Sequence, residues 1–301
     1  MTAAAIMDKL ESAGLRAAFL PYSRIETVKK HYDELAEKNG NTDHTKDAVK
    51  HFYNNQPPDL PFTPLSFLII AQPSDPGQVI FRTNGKSVAV PVPPTYLGYV
   101  SENEKLNSIL ESAAKGYQTA RSKGMSQKLL AVYSGLGRYG RNNICYIEGF
   151  GSYFSIHAYY TDIPCDDISH PLRFLDECET CGLCRQNCPT GAIGEYNVID
   201  CARCLTMLNE RKDPMPDWLS PKVHHTLIGC LRCQEICPKN MALPVMTVHT
   251  LELDEDETRA LLSTDSAELQ PELEHKLKSF GMHEYFLSVI GRNAKLVLQN
   301  T

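Results

Sequence analysis

Cys178, Cys181, Cys184 and Cys188 form a C-x2-C-x2-C-x3-C-P run, Cys230, Cys233 and Cys237 a C-x2-C-x3-C-P run, and Cys204 stands between them. Thiolates two residues apart converge on one iron–sulfur cubane, and the x3-C-P step opens a new turn that carries its thiolate to a neighbouring cubane. The spacing therefore predicts two [4Fe-4S] clusters with crossed ligands. Cys178, Cys181, Cys184 and Cys237 belong to cluster 1, and Cys188, Cys204, Cys230 and Cys233 to cluster 2. Two clusters in one small shell lie close enough to exchange electrons. Cys201, three residues before Cys204, competes for the same place. Zinc ribbons use four ligands in two C-x2-C pairs, which gives no reason for two x3-C-P endings. A disulfide scaffold belongs to small secreted domains and has a different spacing.

Outside the runs, Ser134 to Asn143 reads S-G-L-G-R-Y-G-R-N-N, so Gly135, Gly137 and Gly140 match G-x-G-x-x-G. A dinucleotide fingerprint needs a helix next, whereas RNNICYI is strand-like. Two readings stay open: a tight glycine turn, or a non-Rossmann loop whose backbone approaches a flat cofactor ring. His157, Tyr159 and Tyr160 lie in a β-rich run with alternate residues on one side. Tyr139 and His157 are the candidate acids. Cys145 reads as a core thiol; His224 and His225, just before the second run, read as structural or solvent-facing.

These residues need elements to hold them. Residues 2–15 have helical apolar spacing and RAAFLPY reads as a strand; 23–39 and 43–54 read as surface helices. After the proline-rich loop 54–64, LSFLIIAQ is a buried strand, and QVIFR and SVAVPV form a hairpin about Asn84-Gly85. Residues 101–122 carry the longest helical pattern. The organisation expected is α+β: an α/β cofactor-binding domain over 1–165, a ferredoxin-type two-cluster domain over 166–245, and a helical extension over 246–301 packing on the core.

At 301 residues the chain has room for about two domains. A net charge of −6 points away from a nucleic-acid surface. Met1 to Leu10 lack a secretory pattern and no apolar stretch approaches membrane length. Eleven cysteines, most in cluster spacing, imply a reducing, cytoplasmic setting.

The set SGLGRYGRNN, GSYF, CPTGAI, IDCARC and GCLRCQEICP resembles the epoxyqueuosine reductase family. The likeness is dense over 133–240, looser over 1–132, and visible again in GRNAKLVLQN. In that family the lone ligand follows I/L-D-x-x-x-C, which implies Cys204 over Cys201. The resemblance further implies a nitroreductase-like mixed-sheet domain holding cobalamin base-off, with Gly135, Gly137, Gly140, Arg141 and Asn142 near the corrin, and a ferredoxin-type module feeding single electrons to cobalt. Reductive dehalogenases share that core.

The family's catalytic Asp segment corresponds to Ala120 to Ser126 (ARSKGMS), which has no carboxylate, and the helical-repeat region that helps bind tRNA would begin where this sequence stops, at Thr301. Three functions follow as expectations: a cobalamin-dependent reductase of a small molecule, a corrinoid-free electron-transfer or activator protein acting on a protein partner, and a true epoxyqueuosine reductase using Tyr139 or His157 as acid. A low-potential donor such as ferredoxin or flavodoxin would supply the electrons.

Overall fold

The run from Ser66 to Pro73 is apolar on both of its alternating faces, so it needs cover on both sides. The computed structural model, which describes residues 2–38, 57–97, 101–195, 198–244, 246–263 and 269–300, supplies that cover. The helix expected over 43–54 lies outside the described residues.

The first elements in chain order are α1 (Ala3–Ser12), β1 (Arg16–Pro21), α2 (Ile25–Lys38), β2 (Ser66–Pro73), β3 (Gly77–Thr83) and β4 (Lys86–Val92). Next come α3 (Ser101–Ala113), β5 (Thr119–Arg121), α4 (Gln127–Tyr133), β6 (Arg138–Tyr139), β7 (Cys145–Tyr146) and β8 (Phe154–Thr161). The cysteine region carries short helices only: α5 (Leu183–Gln186), α6 (Leu205–Glu210), α7 (Arg232–Glu235) and α8 (Pro238–Met241). The chain ends with β9 (His249–Leu253), α9 (Glu255–Ser263), α10 (Pro271–Ser279) and α11 (Glu284–Leu298).

One sheet has the order β1-β2-β8-β5 and is antiparallel throughout, with Ile69 opposite Ala158 and Ile70 opposite His157. Phe67 and Ile69 pack with Val28 of α2 and Leu130 of α4 on one face. Leu68 and Ile70 pack with Ile6 and Leu10 of α1 and Leu106 of α3 on the other. Each such fully buried side chain contributes about 1.5–3 kcal/mol of transfer free energy.

The second sheet, β4-β3-β9, is mixed: β3 and β4 are antiparallel, β3 and β9 parallel. Asn84 (φ 50°) and Gly85 (φ 71°) both take the left-handed conformation that a tight two-residue hairpin turn needs. Val79, Phe81 and Leu253 face Leu261, Leu277 and Ile290 of the C-terminal helices. The α+β class read from the sequence stands, with the mixed pairing in this sheet.

Two local readings change. The helix expected over 101–122 stops at Ala113, because Gly116 turns the chain at φ 92° and Thr119–Arg121 pairs with the edge of β8. The stretch after 246 is not helical alone, since β9 adds a strand to the hairpin before the helices begin. Among the described residues no helix is long and apolar enough to cross a membrane.

Candidate iron–sulfur centre and cavity

The two cysteine runs fold as adjacent tight turns, each holding a four-residue helix. Gln186 N donates to Gly182 O at 3.0 Å in the first, Glu235 N to Leu231 O at 2.9 Å in the second. Asn187 Nδ2 donates to Arg232 O at 2.7 Å and pins one run against the other. The pairing brings Cys237 to the first run. Cys178, Cys181, Cys184 and Cys237 together line a small chamber of about 30 Å³.

Cys188, Cys204, Cys230 and Cys233 line the wall of a larger cavity of about 310 Å³, and Cys201 lines it too. Asp200 shapes the turn that presents the lone cysteine. Its carbonyl accepts from Cys204 N at 2.9 Å and its carboxylate from Ala202 N at 3.0 Å. His225 Nε2 accepts from Leu231 N at 3.3 Å beside Cys230, which is a structural role. Among the described residues no three His, Cys, Asp or Glu side chains converge as the ligands of a single ion must.

Electrostatics couple the thiols mainly within each quartet, with a link between the quartets from Cys184 to Cys233. Burial pushes the Cys230 thiol up to about 12, and Cys204 and Cys188 add to the shift. Burial also raises Cys233, with Cys230 and Cys204 contributing, and raises Cys204, with Cys188 contributing. On the other side, burial raises Cys184, with Cys178, Cys237 and Cys181 contributing. Cys201 is raised by burial and then by Cys204, while Lys128 lowers it. Buried thiols packed this closely strongly resist ionising without a metal, so metal binding and proton release are coupled.

The glycine loop leans on both chambers. Arg141 Nη2 donates to Cys178 O at 2.7 Å, and Asn142 Nδ2 to Tyr146 Oη at 3.0 Å and to Cys233 O at 3.4 Å. Gly140, Arg141 and Asn142 line the smaller chamber, and Asn142 also lines the larger cavity. Gly135 and Gly137 line neither. A Cβ at Gly137 would stand 2.5 Å from Cys145 Sγ, and one at Gly135, where φ is +81°, 2.5 Å from the His170 ring. Those two glycines serve close packing.

Of the two candidate acids, Tyr139 lines the 310 Å³ cavity. His157 does not; it is 4% exposed on the sheet, and burial followed by Arg121 lowers its pKa to about 4. A neutral, enclosed imidazole is poorly placed to deliver protons. Cys145 is a core thiol, raised by burial to about 12.

The structure also brings in residues that spacing does not single out. Lys128, on α4, lines the cavity and donates to Asn143 O at 2.9 Å and Asn143 Oδ1 at 2.7 Å, with its ammonium 5.8 Å from the Tyr139 ring centre. Its only sequence signal is a cation inside the apolar stretch QKLLAVY. Gly151 admits the second run: a Cβ there would stand 2.3 Å from Asn240 Oδ1, which accepts from Ser152 N at 2.8 Å. Arg292 and Asn293 of α11 hold α6 from behind. Asn293 Nδ2 donates to Asn209 O at 2.9 Å and Leu227 O at 3.0 Å, and Arg292 Nη2 to Leu208 O at 3.2 Å. That is what the GRN of the C-terminal tail does.

Residues 177–240 match the 4Fe-4S double cluster binding domain. The epoxyqueuosine reductase of Francisella cf. novicida (strain Fx1) is 29% identical over 148 residues, 48% of this chain and 41% of that protein. The chain thus matches about two fifths of that relative's length. The solved epoxyqueuosine reductase of Bacillus subtilis, its catalytic Asp loop swung out of the active site, superposes with a TM-score of 0.65 at 20% identity, covering 98% of this chain and 80% of that one. An epoxyqueuosine reductase bound to an epoxyqueuosine-modified tRNA-Tyr stem loop superposes equally well, at 0.65 and 19% identity. These two likenesses establish the fold.

Proposed function

We propose that this chain, an epoxyqueuosine reductase-like iron–sulfur protein, is a reductase that acts on a small molecule in the 310 Å³ cavity. One observation carries the reading: the thiols of Cys188, Cys204, Cys230 and Cys233 form part of the wall of that cavity. A [4Fe-4S] cluster, when bound, supplies single electrons. Cys178, Cys181, Cys184 and Cys237 would hold cluster 1, and the cavity-wall quartet cluster 2. In this reading 166–245 is the cluster domain, 1–165 the cofactor-binding domain and 246–301 the extension that braces them.

The residues divide the work. Arg141, Asn142 and Asn187 fix the cysteine-bearing backbone by hydrogen bonds. Leu129, Ile144, Ile193 and Leu205 limit water in the cavity, while Tyr32, Tyr139 and Lys128 present polar groups to whatever enters. Cys181 is exposed, so a low-potential donor such as ferredoxin or flavodoxin would meet the chain at the first quartet.

Cobalamin, which the family resemblance implies, has weaker support. Of Gly135, Gly137, Gly140, Arg141 and Asn142, which the resemblance places near the corrin, Asn142 alone lines this cavity. The deciding measurement is iron, sulfide and corrinoid content after anaerobic production with cobalamin supplied. About eight irons per chain are expected; a chain that takes up none would overturn the reading. A corrinoid bound in equal amount would establish cobalamin as a cofactor beside the clusters.

A second reading, epoxyqueuosine reduction in tRNA, is favoured by the stem-loop complex of a protein with this fold. Ala120 to Ser126 lack a carboxylate, so rescue of queuosine formation in a reductase-deficient strain is expected to fail. Restored queuosine would establish this second reading.

A further inference from the structure

The two thiol quartets sit in unlike charge. Among the described residues the chamber of Cys178, Cys181, Cys184 and Cys237 is lined by one cation, Arg141, whose guanidinium faces Glu195 at 3.6 Å. Cys181 is exposed there, so solvent screens the site. The cavity beside Cys188, Cys204, Cys230 and Cys233 is lined by two cations, Lys128 and Arg232, and among the described residues by no Asp or Glu.

Lys128 is the more unusual of the two. It keeps partial exposure where it lines the cavity, yet lies so deep that desolvation lowers its pKa, opposed by Cys145, Cys201 and Cys204. Its hydrogen-bond acceptors are the neutral oxygens of Asn143, a residue held at φ 59° by the turn of the glycine loop. A buried ammonium held by neutral acceptors is costly unless negative charge stands nearby. Of the three cysteines that act on it, Cys145 is the core thiol, while Cys201 and Cys204 line the cavity with Lys128.

We propose that Lys128 is a positioning charge: it makes the cavity-side cluster the better electron acceptor of the two, so that electrons entering at the exposed quartet collect beside the cavity. This rests on the reading above, that both quartets hold clusters. The physical basis is Coulombic. One-electron reduction adds a negative charge to a cluster, and a fixed cation in a poorly screened interior stabilises that charge far more than an exposed cation does. The electron comes from the low-potential donor already named, and no bond is made or broken in the transfer.

The test is an anaerobic redox titration followed by electron paramagnetic resonance, on the full chain and its variants. Cys181→Ser assigns the signals, since it perturbs cluster 1 alone. With Lys128→Gln the electron distribution should move about tenfold away from the cavity-side cluster, equivalent to about 59 mV for a one-electron couple. Lys128→Arg, which keeps the charge, should hold the wild-type distribution. Lys239→Met, which removes an exposed cation paired with Glu177, should move neither cluster.

Equal shifts of both clusters, or none in a Lys128→Gln chain that keeps its iron, would overturn the proposal. So would a Lys128→Gln chain that loses iron where Lys128→Arg keeps it, since Lys128 would then be a structural prop. A wild-type chain without iron would instead defeat the preceding reading.

Discussion

The sheet half and the cysteine half are held together by different physics. In the first, Phe67, Ile69, Leu130 and Tyr160 are all buried to 1% exposure or less, in a core that needs no ligand. In the second, the described apolar cluster beneath the cysteine turns consists of Leu205, Leu208 and Leu219 with a few partly buried neighbours. Polar staples hold the rest: Asn187, Asn209, Asn240 and Asn293 each donate to a backbone carbonyl. Leu227 and Ile228, between the two cysteine runs, are buried in the second core, and metal ligation would add folding free energy to the turns around them, as in small metallo-domains.

Stripping the clusters with a chelator under oxidising conditions should test that contrast most severely. Amide protection should collapse across 178–240 while β1, β2 and β8 keep theirs in hydrogen exchange; protection retained in 178–240 would break the comparison. Next, Cys204→Ser should lose one cluster, about four of eight irons, whereas Cys201→Ser should keep both. The reverse result would exchange the two cysteines. On the sheet side, Phe67→Ala should cost about 3–5 kcal/mol in denaturant unfolding and leave the iron count unchanged.

Acid should act on both halves. His157 and His224 are each held at about 4 by burial, with Arg121 and Arg292 respectively contributing. Their folded values lie below the unfolded value of about 6.5, so the unfolded chain binds these protons first. Stability is fully present above about pH 6.5 and falls as the pH drops towards 4, by roughly 3 kcal/mol per histidine at most. His157→Phe should flatten that slope for the sheet half without touching the iron signals. The smallest effect expected is that of Asn293→Ala, which removes the donor to Leu227 O at a cost of about 1–3 kcal/mol while Arg292 Nη2 still serves Asn209 O at 3.1 Å. It should show as faster iron loss while the sheet melts normally.

Much of the scaffold was legible because strands and helices carry local periodicity. The Ser66–Pro73 strand, the Asn84-Gly85 hairpin and the edge strand Arg16–Pro21 announce themselves within a few residues. The helix read through to 122 failed because Gly116 and the open edge of β8 outweigh a weak helical pattern. β9 escaped notice because five largely exposed residues become a strand only by pairing with β3. In the site, the glycines were legible as a loop, but not that Gly135 and Gly137 pack while Arg141 and Asn142 reach the cysteine turns.

The sequence by itself determined that this chain carries iron–sulfur ligation, because thiolates must stand at fixed short intervals to converge on a cubane, and that it is an α+β protein, because hydrophobic period is a local property. Only the tertiary structure decided that Lys128 and Tyr139 line one cavity with Cys188, Cys204, Cys230 and Cys233. Those residues are separated by up to about a hundred positions, and no interval along the chain encodes their meeting. They are brought together by the long-range packing of the sheet, the glycine loop and the C-terminal helix, which sequence spacing cannot express.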